Sequence, residues 1–264
     1  MRMTIVVLPP PGGGDGCDVR RNVPRDRATR TVKGMTRIAI VGGHGQVARQ
    51  LVHLLRRAGH DPVALVRNEA YREELEGRGA EVRMLDIERQ GATEFAAAFA
   101  GCEAVVFAAG GGPDGNIERK RTVDLEGSLK SIEGARAAGI RRFVQVSAIG
   151  VDDPLPADTG AVWRAYVAAK RDADAALRAS DLDWTIIRPG RLTDEPATGR
   201  VALGADVARG EVTRADVAAV LAAVFDVPGS IGQQWNLVSG EVPVEQAVHS
   251  PDGRSVHSSS AREE

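Results

Sequence analysis

Short runs rich in Val, Ile and Ala alternate along the chain with longer segments in which apolar positions recur every three or four residues. Unbroken apolar runs bounded by turn residues describe strands buried on both faces, and their alternation with helical segments is the pattern of βαβ units. The runs predict strands near 37–41, 62–66, 80–85, 103–108, 142–147 and 183–187, with a later one near 233–238. Helical periodicity falls between them, near 45–58, 69–77, 91–99, 120–138, 161–179 and 213–225. This order predicts an α/β chain of Rossmann type: a doubly wound, mostly parallel sheet with helices on both faces.

The two ends depart from the pattern. Pro9 to Gly34 is Pro, Gly, Arg and Asp with hardly an apolar residue, so residues 1–35 are expected to form a disordered extension. Met35 stands just before the first strand, and a translation start there would give the whole domain, 36–248. His249 to Glu264 has no periodicity and reads as a frayed tail. The 264 residues are 43% hydrophobic and 27% charged, enough for one well-buried core. With 34 basic against 36 acidic side chains, nothing in the charge balance suggests nucleic acid or an anionic membrane as partner. No run approaches the roughly 18 apolar residues of a membrane span. Pro9-Pro10-Pro11 also cuts the apolar start shorter than a secretory core. Cys17 and Cys102 make no disulfide framework and fit no metal-ligand spacing. The expectation is a cytoplasmic protein without a metal, acting on a small molecule as a monomer or small homo-oligomer, with Trp163 and Trp184 available to seal an interface.

The first strand runs into Val41-Gly42-Gly43-His44-Gly45-Gln46-Val47-Ala48, a glycine-rich turn that opens a helix. Glycines there allow a tight turn and a close approach of backbone N–H groups to a pyrophosphate, which the helix dipole also favours. The turn is therefore read as a dinucleotide site, with Ala48 as the small residue needed for helix–strand packing. His44 is read as a loop residue of this turn rather than a catalytic one. At the end of the second strand stands Arg67, where an acid for the ribose 2′-hydroxyl is usual in NAD proteins. A guanidinium suits a 2′-phosphate instead, so NADP is expected as cofactor over NAD, although Arg67 is equally placed to be a solvated strand-end residue. Asp86 and Ile87 after the third strand, and Ala108, Ala109 and Gly110 after the fourth, fall at the same sheet edge and are assigned to adenine and ribose contacts.

A second set follows the fifth strand. Tyr166 and Lys170, four residues apart, share one helix face, and Ser147 ends the strand. A cation near a phenol favours phenolate, the direction needed for proton exchange with a carbonyl during hydride transfer. Packing of Tyr166 beside Trp163, with Lys170 holding only a cofactor ribose, is the plainer alternative.

Together these residues resemble the short-chain dehydrogenase/reductase superfamily, and more closely its atypical NAD(P)H-binding branch of NmrA-like and biliverdin-reductase-B-like proteins, many of them assigned as sugar epimerases. The likeness runs from about Thr36 to Val248 and is carried by Phe143-Val144-Gln145-Val146-Ser147-Ala148-Ile149, Leu182-Asp183-Trp184-Thr185-Ile186-Ile187-Arg188-Pro189-Gly190 and Arg214-Ala215-Asp216-Val217-Ala218. The resemblance implies a catalytic Ser147, Tyr166 and Lys170, with Lys170 also on the nicotinamide ribose and Pro189 beside the cofactor. It puts Asp124 where the superfamily usually has Asn, a departure from the usual proton relay. Only about 60 residues follow Pro189 before the tail, so the substrate pocket is expected to be small or open, with 110–115 and 152–156 as lid segments. The leading expectation is an oxidoreductase or epimerase acting on a small carbonyl, carbinol, quinone or flavin-like substrate. The alternatives are a non-catalytic NADP(H) sensor and a reductase passing hydride straight to a planar acceptor without Tyr166.

Overall fold

The computed structural model describes residues 34–112 and 115–251, and the expectations for the extreme ends lie mostly outside them. The apolar run Arg37–Val41 forms β1, with Ile38, Ala39, Ile40 and Val41 all enclosed. There follow α1 (Gln46–Arg57), β2 (Asp61–Val66), α2 (Arg72–Gly77), β3 (Glu81–Met84), α3 (Ala92–Ala98) and β4 (Ala104–Phe107). The next series is α4 (Ile117–Arg119), a π-helical turn over Lys120–Leu125, α5 (Glu126–Ala137), β5 (Arg142–Val146), α6 (Ala161–Arg178) and β6 (Asp183–Pro189). Last come β7 (Arg191–Thr193), β8 (Arg200–Gly204), β9 (Glu211–Thr213), α7 (Arg214–Ala223), β10 (Gln233–Ser239), β11 (Val242–Pro243) and α8 (Val244–His249).

Among the described residues, one nine-stranded sheet runs in the order β11-β8-β10-β6-β5-β4-β1-β2-β3, and β7 pairs separately with β9. From β3 across to β10 every pairing is parallel, whereas β8 runs antiparallel to β10. Side-chain alternation sets the layers. Ile38 and Ile40 join a core with Leu51 and Leu55 of α1 and Val217 and Leu221 of α7. Ala39 and Val41 face the other way, towards Phe95 of α3, Ile132 of α5 and Leu177 of α6. Burial on both faces is why these strands read as unbroken apolar runs. Because β1 has β2 on one side and β4 on the other, the chain leaves the sheet in opposite directions at this point, opening a crevice at the strands' carboxyl ends.

Three features differ from the sequence reading. The helix expected over 120–138 is interrupted by the π-helical turn, which adds a residue to the circuit and brings Val123 and Asp124, adjacent in sequence, both into the interior. The segment after Pro189 contains short strands of two to five residues, too brief for any period to show. The six-residue α8 was likewise not foreseen, and it buries Val244, Ala247 and Val248 against the core. Among the described residues no helix is long and apolar enough to cross a membrane.

The Arg214–Ala218 stretch has a structural role. Thr213 caps α7 by accepting from the Asp216 N–H at 2.9 Å and returns its own hydroxyl to the Asp216 carboxylate. That fully enclosed carboxylate also accepts from the Thr198 N–H and hydroxyl, each at 3.0 Å, and from the Gly199 N–H at 2.8 Å. It thereby fixes the turn entering β8 to the start of α7. Asp216→Asn turns one acceptor into a donor aimed at donors, and should lower stability by about 2–4 kcal/mol. A urea unfolding midpoint within error of wild type would contradict this role.

Candidate cofactor cleft and catalytic set

The glycine turn is built for close approach. Gly42 has φ +81°, and a Cβ there would lie 2.8 Å from the Ala109 Cα. A Cβ on Gly43 would meet the Ala64 Cβ at 2.8 Å, so this glycine presses the turn against β2. Gly43 N–H donates to Leu65 O at 3.0 Å and Gly45 N–H to Gly42 O at 2.8 Å, locking the loop. Gly45 then caps α1 without any side-chain acceptor, and the helix has no acidic residue in its first turn. The first turn of α1 thus adds no acidic side chain of its own to its positive dipole end, while Glu74 of α2 reaches Arg49 at 3.2 Å.

Beside the turn lies a cavity of about 230 Å³. Of the residues expected to hold a cofactor, Gly42, His44, Gly45, Arg67, Asp86, Ile87, Ala108, Ala109 and Gly110 line it. Gly43 lies behind the turn, and Gln46 and Val47 begin α1. Pro189 ends β6, where its carbonyl accepts from the Ile149 N–H at 3.0 Å. Asp86 closes its own turn by accepting from the Glu88 and Arg89 N–H groups at 3.0 and 3.3 Å. His44 stacks on Tyr71, ring centroids 3.5 Å apart, and its Nε2 lies 3.1 Å from Glu74. Tyr71, Glu88 and Arg119 also line the cavity. The sequence reading missed them because they come from loops and a three-residue helix with no spacing rule.

The cavity adjoins the second set. The Gly111 N–H, next to the lining residue Gly110, donates to Asp124 Oδ2 at 2.9 Å. Asp124 Oδ1 lies 3.1 Å from Lys170 Nζ, both side chains almost fully enclosed. Lys170 also donates to Val146 O at 3.2 Å and sits 6.0 Å from the centre of the Tyr166 ring. Tyr166 in turn packs on Trp163 at 5.1 Å between centroids. Asp124, Lys170 and Tyr166 are therefore brought together.

Ser147, implied by the resemblance to belong to the catalytic set, turns to a buried carboxylate. Its hydroxyl donates to Asp174 Oδ2 at 2.7 Å, and Asp174 also accepts from Gln145 Nε2 at 2.7 Å and Arg188 Nε at 2.9 Å. Arg188 reaches on to Asp152 at 2.7 Å, and Arg209 to Asp153 at 2.8 Å, so the 152–156 loop is latched onto the end of β6 and the segment beyond it. Between them lies a polar cavity of about 410 Å³ bordered by Ile149, Asp152, Arg188, Arg209 and Asn236. Residues 113–114 of the other expected lid lie outside the described part. Among the described residues no group of three or more His, Cys, Asp or Glu is placed to hold a metal ion.

The electrostatics correct one expectation. Burial pushes the Tyr166 phenol above its ordinary value, and the Lys170 charge opposes this without overcoming it, while Asp124 and Asp174 add to the rise. For Lys170, burial pulls downward, but Asp124 and then Tyr166 outweigh it and the ammonium is raised. Both shifts have the same sign of consequence. The stability they contribute is full below about pH 10 and is lost as pH climbs through the raised folded values. In a Tyr71→Phe background, leaving Tyr166 as the remaining tyrosine, phenolate absorbance of the cofactor-free protein should appear only above about pH 10. A midpoint at or below that value would show that Lys170 outweighs burial.

The NAD(P)H-binding family model matches residues 42–228. The uncharacterized sugar epimerase YhfK of Bacillus subtilis is 37% identical over 217 residues, covering 80% of this chain and 98% of its own. A Bacillus halodurans structure assigned as an NAD-dependent epimerase/dehydratase superposes with TM-score 0.75 at 40% identity, over 81% of this chain and 98% of that one. ChuY of Escherichia coli O157:H7, described as an anaerobillin reductase, superposes with TM-score 0.62 at 26% identity, over 78% and 98% of the two chains. With a glycine cradle that side chains would fill and a cleft at the strand-order switch, the chain belongs to the NAD(P)H-binding family.

Proposed function

We propose that the protein is an NADP(H)-dependent oxidoreductase that reduces a small carbonyl, quinone or flavin-like substrate. The observation that carries this reading is the junction of the two halves of the site: Gly111 beside the cavity is bonded to Asp124, which pairs with Lys170 under the ring of Tyr166. The glycine turn and the uncapped amino end of α1 would hold the pyrophosphate, and Arg67 with Arg119 at the cavity wall would face the adenosine end. A reduced nicotinamide, when bound in this cleft, would supply the hydride. Tyr166, kept protonated by its burial, supplies the proton to the oxygen that gains charge, which favours the reductive direction over the oxidative one. Lys170, held by Asp124 and Val146 O, carries a fixed positive charge beside that phenol and offsets the charge left on it.

One observation favours a second reading, direct hydride transfer to a planar acceptor. The Ser147 hydroxyl is spent on Asp174 rather than offered to a substrate oxygen, and the relative ChuY is described as an anaerobillin reductase.

Two measurements test these readings. Energy transfer from tryptophan to reduced nicotinamide should show NADPH binding more tightly than NADH. Arg67→Ala should remove about tenfold or more of the NADPH affinity, the size of one charge-assisted pair. Binding of neither cofactor would overturn the assignment. Tyr166→Phe should bind NADPH normally and lower turnover at least a hundredfold on carbonyl substrates, the usual contribution of a positioned general acid, given as an order of magnitude. Retained turnover would select direct hydride transfer. Absence of turnover on any substrate, with unequal affinity for oxidised and reduced cofactor, would select a sensor.

A further inference from the structure

Three charged side chains from separate loops meet at the outer wall of the smaller cavity: Arg67 after β2, Glu88 after β3 and Arg119 at the end of α4. Glu88 Oε2 lies 3.4 Å from Arg67 Nη1 and 3.7 Å from Arg119 Nε. Its other oxygen accepts from the Thr122 hydroxyl at 2.9 Å. An oxygen anion between two guanidinium groups is the arrangement a phosphate monoester takes in an arginine site. The Arg67–Glu88 pair is also loose. Arg67 is 59% exposed and Glu88 29%, and exposed ion pairs are weak and easily exchanged.

Resting on the reading of this cavity as an NADP(H) site, we propose that Glu88 is a built-in competitor for the cofactor's 2′-phosphate, occupying its place between Arg67 and Arg119 in the free protein. A 2′-phosphate carries between one and two negative charges at neutral pH, so it cannot share both guanidinium groups with a carboxylate without strong repulsion. Glu88 must swing towards solvent when NADP(H) binds. A cofactor with a plain 2′-hydroxyl leaves the Glu88 pairs intact. The carboxylate therefore penalises only the phosphorylated cofactor, and Glu88 sets how sharply the cleft discriminates NADPH from NADH. The sequence signal at Arg67 gives the sign of the preference; Glu88 limits its size.

The test compares wild type, Glu88→Gln, Glu88→Ala and Arg67→Ala in titrations with NADPH and NADH, and with the fragments 2′,5′-ADP and 5′-AMP, which differ only in the 2′-phosphate. Glu88→Gln keeps an acceptor for Thr122, and thermal melts of both Glu88 variants establish that they fold. NADPH and 2′,5′-ADP should bind about five- to tenfold more tightly to both Glu88 variants, the effect of removing one charge about 4 Å from another in a solvent-exposed site. NADH and 5′-AMP should change by less than about twofold, since no charge faces the 2′-hydroxyl. Unchanged or weakened NADPH binding overturns the proposal. So does a selective loss of NADH affinity, which would make Glu88 an acceptor for the ribose hydroxyl. If wild type prefers NADPH and Arg67→Ala abolishes that preference while the Glu88 variants match wild type, the cofactor reading survives and the Glu88 inference alone fails. If neither cofactor binds, both fall.

Discussion

The buried pair between Asp124 and Lys170 joins the loop beside the glycine-turn cavity to the helix face that carries Tyr166. Their charged atoms stand 3.1 Å apart with almost no exposure to solvent. Ions so enclosed must be paired and hydrogen-bonded, because desolvation of either alone costs several kcal/mol. Asp124 meets this demand with Lys170 and the Gly111 N–H, and Lys170 with Asp124 and Val146 O. The pair thereby holds the carboxyl end of β5, the loop after β4 and the face of α6 in one geometry. Asp124 enters this pair from the π-helical turn over Lys120–Leu125, where Val123 beside it is also buried.

A second buried carboxylate, Asp174, lies four residues from Lys170 on the same face of α6. Asp174 gathers Gln145, Ser147 and Arg188, and Arg188 passes the connection to Asp152 in the loop before α6. Two acids near one strand end thus hold different partners. Asp124 anchors the ammonium beside the phenol, and Asp174 anchors the loop that borders the larger cavity. The Asp124 carboxylate has the Lys170 ammonium as its charged counterpart.

At the glycine turn the constraint is steric. Gly42 and Gly43 lie so close to Ala109 and Ala64 that any side chain would force the turn off the sheet. The same closeness leaves backbone N–H groups at the amino end of α1 as the nearest polar surface for an anion. Charge further out sits on Arg67, which is exposed, and on Glu88 and the half-buried Arg119.

The sequence alone determined the parallel α/β framework, because strands enclosed on both faces need unbroken apolar runs, as in Arg37–Val41 and Ala104–Phe107. It also located the glycine turn, since only glycine satisfies the positive φ of Gly42 and the contacts of Gly43, and it placed Tyr166 and Lys170 on one helix face through helical spacing. The short elements after Pro189 carry no period and form only because neighbouring strands offer hydrogen-bond partners. Only the tertiary structure decided that Ser147 turns to Asp174, that Asp124 faces Lys170, and that burial outweighs the cation at Tyr166. Each of these depends on groups more than ten residues apart or on the exclusion of water, and neither distance nor solvent is written in local spacing.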